Sequence, residues 1–330
     1  MSERTILVTG GAGYVGSHAC YALSQAGYEV VVVDNLSNGH RAFARFGPFH
    51  ELDIRNEAAL SAVIAEHKPA AVLHFAALIE VGESVKNPAA FYDVNVAGTL
   101  ALLRAMATHG VDKIVFSSTC ATYGPPQRLP LDETHPQAPV SPYGWTKLMI
   151  ERAILDIGAA SGLRAALLRY FNAAGAAPDH GLGERHSPET HAIPLALFTL
   201  LGRREGFSVF GTDYDTRDGT AVRDYIHVLD LADAHVRALR RLIEGGDTQA
   251  FNLGVGDGVT VKELLAAVER VTGRPIDAAM APRRPGDAPA LVADARKAAT
   301  VLGWKPTRSL DDILADAWRW HSEVEGVQFG

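Results

Sequence analysis

The stretch "VTGGAGYVGSH" constrains this chain more than any other. It places Gly10, Gly13 and Gly16 directly after the apolar run "TILV" and at the opening of a helical pattern, with Tyr14 and Val15 between the last two. The spacing predicts a strand, a tight turn and a helix N-terminus. Glycine permits the turn and lets backbone N–H groups approach a pyrophosphate, while the helix end favours the anion. A glycine turn that binds nothing could look the same, so its context has to carry the argument. Asp34 ends the next apolar run about twenty residues on, where a carboxylate accepts from the adenosine ribose hydroxyls and disfavours a 2′-phosphate. The expected ligand is therefore a dinucleotide, NAD rather than NADP.

Further along, "TILVTG", "EVVVVDN", "AAVLHFAA", "KIVFSS" and "RAALLRYFN" read as buried parallel strands. Between them, "YVGSHACYALSQAG", "NEAALSAVIAEHK" and "FYDVNVAGTLALLRAMATHG" carry apolar residues at helical spacing. Repeated βαβ units imply an α/β fold: a Rossmann-like, doubly wound parallel sheet with ligands at the carboxyl ends of its strands. After Asn172 the pattern weakens. "AAGAAPDHGLGERHSPETH" and "FGTDYDTRDGTAVRDY" are irregular and polar, whereas "LADAHVRALRRLIEGG", "VKELLAAVERVTG" and "LDDILADAWRWHSEVEG" read as helices. The expected layout is an NAD-binding domain over residues 1–172 and a smaller C-terminal substrate-binding lobe over 173–330, with segment 221–256 returning to the first domain.

The net charge of −7 and the lack of a long basic run argue against general affinity for nucleic acid. No apolar run approaches the roughly 20 residues of a membrane span. The opening "MSERTILVTGG" lacks the apolar core of a signal peptide, and Cys20 and Cys120 are too few for a disulfide framework. A cytoplasmic setting is the expectation. Thirteen histidines invite a search for metal ligands, but "ERHSPETH" has neither helical i, i+4 spacing nor accompanying cysteines, so no metal is expected.

Chemistry is suggested further on. "FSSTCATYG", holding Ser117 and Thr119, ends the fourth strand, where open sheets present reactive groups. In "SPYGWTKLMIE", Tyr143 and Lys147 sit four apart on a helix that Ser141 could cap, so both can face one site. A free phenol is a poor base at neutral pH. A nearby ammonium and a cationic nicotinamide both favour the phenolate, and lowering its pKa by ~3 units requires about 4 kcal/mol of differential stabilisation.

Over essentially its whole length the chain resembles the extended short-chain dehydrogenase/reductases, and within them the UDP-hexose 4-epimerases. The resemblance rests on "VTGGAGYVGSH", "VVVDNLSNG", "HFAALIEVGESV", "NVAGTL", "FSSTCATYG", "YGWTK", "LRYFNAAGA", "GTDYDTRDGTAVRDYIHVLDLADAH" and "RRPGD". The early motifs specify the superfamily and the last two are closer to the epimerases. The resemblance implies NAD-dependent interconversion of UDP-glucose and UDP-galactose through a 4-keto sugar. Tyr143 would take the proton of the sugar 4-hydroxyl, Lys147 would bind the nicotinamide ribose and lower the Tyr143 pKa, and Thr119 would stand where the family usually has serine.

Around the cofactor the same resemblance places Gly10, Gly13, Tyr14, Val15, Gly16, Asp34, Asn35, Asn38, Asp53, Ile54, Phe75, Ala76, Ala77, Asn95, Ser117 and Tyr170, with Asp53 and Ile54 at the adenine. For the UDP-sugar it implies Asn172, Arg223 and Arg284 at the diphosphate, Phe210 near uracil and Asp287 at the uridine ribose. Phe171, His191, Tyr225 and Leu291 are implied as further substrate-binding residues. A homodimer is implied, through "VNVAGTLALLRAM" and the helix beginning near Tyr143.

Two departures matter. Residues after "HFAA" differ from epimerases with lysine in this segment, so Ile79 and Glu80 receive no cofactor role. Leu291 falls where the family gates N-acetyl groups and is intermediate in size. Competing readings are a 4-epimerase acting on UDP-N-acetylhexosamine, UDP-pentose or UDP-uronate, and a non-catalytic NAD-sensing protein. A 4,6-dehydratase fits less well, because Cys120 and Ala121 stand where an Asp-Glu pair would be needed.

Overall fold

Continuous apolar runs bury both faces of a sheet, because successive side chains point to opposite sides, and this chain uses them so. The computed structural model describes residues 4–284 and 287–329. Strands β1 (Thr5–Thr9), β2 (Glu29–Asp34), β3 (Phe49–Glu51), β4 (Ala71–His74), β5 (Lys113–Thr119) and β6 (Arg164–Tyr170) belong to one sheet. They are followed by β7 (Asn172–Ala174), β8 (Phe207–Phe210), β9 (Val222–Arg223), β10 (Tyr225–His227) and β11 (Gln249–Leu253). The chain's later strands are β12 (Val259–Thr260), β13 (Ala278–Ala281) and β14 (Ala290–Leu291). The large sheet runs β11-β6-β5-β4-β1-β2-β3, with every pairing parallel. Strand order reverses between β1 and β4, and a crevice forms beyond the strand ends at such a point.

The main helices are α1 (Tyr14–Gln25), α2 (Glu57–His67), α3 (Val81–Lys86), α4 (Pro88–Phe91), α5 (Gly98–Thr108), α6 (Pro142–Ser161), α7 (Ala192–Leu200), α8 (Val228–Ile243), α9 (Val261–Thr272), α10 (Arg296–Val301) and α11 (Leu310–Arg319). Alternate residues of each strand serve opposite faces. Ile6, Val8, Val30, Val32 and Leu73 pack with Ala19 and Leu23 of α1 and with Leu231, Ala234 and Leu239 of α8. Leu7, Val31, Val33, Val72 and Ile114 instead meet Leu60 and Ile64 of α2, Leu102 and Met106 of α5, and Ile150 and Ile154 of α6. Covering both faces is what a parallel sheet requires.

The smaller lobe has its own core. Phe207 and Val209 of β8 pack with Leu197, Leu264, Ile313 and Leu314, and β13 runs beside β8. From Tyr225 the chain returns to the large domain: β10 pairs with β7, α8 packs on α1, and β11 joins the outer edge of β6. Ala298, Leu302 and Trp304 also enter the large domain's core. No periodicity in the sequence marked that second return. Among the described residues, no helix is long and apolar enough to cross a membrane.

Candidate functional site

A cleft of about 420 Å³ opens at the carboxyl edge of the sheet, within the size range of small-molecule sites. Its cofactor-side wall begins at the turn after β1. Gly10 adopts φ +73°, and a Cβ there would lie 2.5 Å from the backbone nitrogen of Ala76. A Cβ on Gly16 would lie 2.1 Å from the Gly10 carbonyl oxygen. Only glycine fits either place. Gly13 is the N-cap of α1 without a side-chain cap, so the first-turn amides are left to an anion.

Asp34 is buried at the end of β2 and accepts from the N–H groups of Ala12 (3.0 Å) and Leu36 (2.8 Å). Its burial raises its pKa despite those bonds, and a phosphate beside it would be poorly placed. Asn35 donates to Asp53 at 3.1 Å, and hydrogen bonding from Arg55 holds the Asp53 carboxyl down to about 2. These residues line the cleft with Tyr14, Val15, Asn38, Ile54, Phe75, Ala76 and Ala77. A glycine cradle, a buried acidic ribose acceptor and an apolar wall together fit a dinucleotide without a 2′-phosphate.

Thr119, Tyr143, Tyr170, Phe171, Asn172, His191 and Leu291 line the remainder. Ser141 caps α6 by accepting from the Gly144 N–H, which fixes Tyr143 in the first turn. The Thr119 hydroxyl hydrogen-bonds Tyr143. Lys147 lies behind them, fully buried, with its Nζ 2.9 Å from the Ser117 carbonyl and 6.0 Å from the centre of the Tyr143 ring. Burial pushes the phenol above its usual range, with Tyr170 adding to the rise, and the hydrogen bond from Thr119 opposes it. Burial also draws Lys147 down to about 7, against the pull of Glu151.

Other anticipated residues stand back from the cleft. Asn95 is buried, and its amide accepts from the Leu78 N–H and donates to the Leu78 carbonyl and to Thr146, so it shapes the wall through the backbone. Ser117 pairs with the Tyr170 hydroxyl at 2.6 Å. Tyr225 is buried in the smaller lobe's core.

Arg223, Arg284, Phe210 and Asp287, anticipated at the diphosphate and uridine, are not among the residues that line this cleft. Leu291 pairs in register with Arg223, whose Nη1 donates to the carbonyls of Val222 and Ala288, each at 2.9 Å. Asp287 lies 3.6 Å from Arg223, and the Arg284 guanidinium sits 3.9 Å above the Phe210 ring. The middle of "RRPGD", positions 285 and 286, lies outside the described residues.

Sequence reasoning missed Leu78, Ile79, Glu184 and His186 on the cleft wall. The first two resemble ordinary core residues and carry no signal. The last two lie in "ERHSPETH", set aside because its spacing is not helical, yet a loop brings Glu184, His186, Glu189 and His191 together with ligand atoms within 4.8 Å of one another. A fold can converge what a helix repeat cannot.

The fold recurs in known proteins. The chain is 61% identical to "UDP-glucose 4-epimerase" of Rhizobium meliloti (strain 1021) over 322 residues, 98% of both chains. A crystal structure of UDP-glucose 4-epimerase from Brucella ovis in complex with NAD has a TM-score of 0.93 at 48% identity, covering 96% of this chain and 97% of that one. One from Bifidobacterium longum in complex with NAD+ and UDP has a TM-score of 0.91 at 40% identity, covering 97% and 98%. The model of the NAD dependent epimerase/dehydratase family matches residues 6–254, across the glycine cradle, Thr119, Tyr143 and the returning strand, and the chain belongs to that family.

Proposed function

We propose that this chain is an NAD-dependent 4-epimerase interconverting UDP-glucose and UDP-galactose. The observation that carries the reading is the placing of Thr119 and Tyr143 in one cleft between the glycine cradle and the wall formed by Asn172 and Leu291. Near-full-length likeness to UDP-glucose 4-epimerases supports the choice of substrate. Bound NAD would accept hydride from C4 and return it, and its positive charge would favour the Tyr143 phenolate. Tyr143 takes the 4-hydroxyl proton and later gives it back. Thr119, hydrogen-bonded to Tyr143, holds the sugar 4-oxygen and passes the proton between them. Lys147 keeps a positive charge behind the phenol while Ser117 anchors it. Asn172, Arg223 and Arg284 serve the diphosphate, Phe210 the uracil and Asp287 the uridine ribose, for which Arg284 must leave the Phe210 face. Rigid guanidinium forks suit paired phosphate oxygens.

The direct test is to incubate purified protein with UDP-galactose without added cofactor and follow UDP-glucose by NMR. Turnover is expected from retained NAD. No turnover, with or without added NAD, rejects the reading.

Leu291 sets the sugar tolerance. It packs with Phe171 beside the cleft and fills less space than tyrosine and more than a small residue. UDP-N-acetylglucosamine should turn over with kcat/KM at least about tenfold below UDP-glucose. Leu291→Tyr should remove that activity while sparing UDP-glucose, as read in a coupled assay. Undetectable turnover of the N-acetyl sugar by the unmodified protein rejects this assignment.

The protein works as a homodimer in the cytoplasm in this reading. Both cysteines are free, as a reducing compartment requires. Trp145 and Met149, one turn apart on α6, are 43% and 44% exposed, and Tyr92, Val81 and Val85 add to the exposed apolar surface of neighbouring segments packed on α6. Helix α5 carries less of the exposed apolar surface than its sequence suggested, because Leu102, Leu103 and Met106 are buried against the sheet domain. A dimer is expected by sedimentation at micromolar concentration, and Trp145→Glu with Met149→Glu should yield monomer. A monomeric unmodified protein removes the proposal.

A further inference from the structure

We propose that Glu184, His186, Glu189 and His191 bind one divalent transition-metal ion, with zinc the best match to the ligand set. The four side chains come from a single loop that ends at His191, the residue preceding the first turn of α7. Their candidate ligand atoms, one per residue, lie within 4.8 Å of one another. Two imidazoles and two carboxylates are a set zinc accepts in tetrahedral sites, at bond lengths near ~2.1 Å that place neighbouring ligand atoms about 3.4 Å apart. His186 Nδ1 stands 3.3 Å from Glu184 Oε1 and 3.6 Å from Glu189 Oε2, close to that edge length. His191 Nδ1 is 2.8 Å from Glu184 Oε1 and from Glu189 Oε1. An ion between them would therefore need only small side-chain movements.

The second observation concerns pairing. His186 Nδ1 and Glu189 Oε2 are buried and face one another, yet neither makes a hydrogen bond. Their side chains are only 10% and 4% exposed. Buried polar atoms are nearly always paired, so two facing orphans mark a place where something else binds. An ion pair alone could hold the cluster if both histidines were protonated. It would set two imidazolium rings 5.1 Å apart, the His186 side chain 10% and the His191 side chain 44% exposed. Two neutral imidazoles, two carboxylates and a divalent ion balance charge without that repulsion.

The surroundings are built to hold ligands still. Glu189 Oε1 accepts from the N–H groups of Thr190 (2.7 Å) and His191 (2.8 Å). The Glu184 carbonyl accepts from the Trp320 indole at 2.9 Å, and the Arg185 carbonyl lies 2.9 Å from His40 Nε2. Outer partners of this kind orient ligands in metal sites. Access exists from two sides, because His186 lines both the main cleft and an outer depression bounded by Pro188, Glu189 and Phe198.

The test uses tag-free, full-length protein equilibrated with zinc, desalted and analysed by inductively coupled plasma mass spectrometry. About one zinc per chain is expected. Cobalt-loaded protein should show the visible bands of a tetrahedral ion, and X-ray absorption of the zinc form should show a nitrogen and oxygen shell at four-coordinate distances. His186→Asn and Glu189→Gln should each lose the metal. His67→Asn, which breaks the separate surface group of His50, Glu66 and His67, should keep it. Substoichiometric zinc in the unmodified protein overturns the site, as does a six-coordinate shell, or metal lost with His67→Asn and kept with His186→Asn. The spectra of the unmodified protein decide the matter even if a variant fails to fold.

Discussion

Tyr143→Phe is expected to lower turnover of UDP-galactose by about 10²–10⁴-fold, the usual contribution of a positioned acid–base group. The ring would stay where it is, since Ser141 caps the helix that carries it and Thr119 and Cys120 flank it in the cleft. Only the hydroxyl disappears. The nearby Cys120 thiol cannot replace it, because burial raises its pKa to about 12 and it accepts no proton usefully at neutral pH. The Tyr170 hydroxyl is engaged with Ser117. UDP-sugar binding and NAD content should therefore remain near those of the unmodified protein, so the loss falls on kcat. Steady-state kinetics with NAD quantified after denaturation checks this. A variant with nearly normal kcat would remove Tyr143 as the base.

The second large effect lies behind the site. Glu151→Ala is expected to destabilise the protein by about 3–5 kcal/mol, because it strands a buried guanidinium. Arg169 and Glu151 pair at 2.6 Å with side chains only 7% and 2% exposed. Glu151 also accepts from Ser118 at 2.5 Å and from Gln137 at 3.1 Å, while Arg169 donates to the Tyr123 hydroxyl at 3.0 Å. Removing the carboxylate leaves Arg169 without its counter-charge. Replacing both partners, as in Glu151→Leu with Arg169→Met, should recover more than half of the loss, since a well-packed apolar pair avoids the desolvation altogether. Urea unfolding monitored by tryptophan fluorescence compares the three proteins. A single-variant loss below about 1 kcal/mol would mean that water reaches this pair. Glu151 also lies one helical turn from Lys147 and favours its charged form, so the same carboxylate supports the site's electrostatics from the rear.

Legibility in the sequence followed the range of each interaction. The runs "TILVTG" and "EVVVVDN" showed their strands because burial of a parallel sheet is written into consecutive residues. Gly10 and Gly16 showed the cradle because backbone close approach admits no other residue. Thr119, Tyr143 and Lys147 could be proposed as a group because strand end, helix start and helix repeat are local rules. Long-range placement was another matter. Glu151 reads as an ordinary polar residue on a helix, and nothing nearby announces that Arg169 will meet it inside the protein. Nothing near Tyr225 in the sequence announces that its ring packs in the smaller lobe's core. The loop at Glu184–His191 defeated a test based on helical periodicity, since its convergence depends on anchors at His40 and Trp320 far away in the chain.

The position of β11 has a consequence for synthesis. Strand β6 has β5 on one side and gains its outer neighbour only from Gln249–Leu253. Residues up to Leu253, about three quarters of the chain, must therefore leave the ribosome before the sheet can be completed. Until then β6 presents an open edge, and α1 lacks the cover of α8. A nascent chain stalled short of that point has its glycine turn and its reactive tyrosine already made, but its sheet still lacks an outer strand.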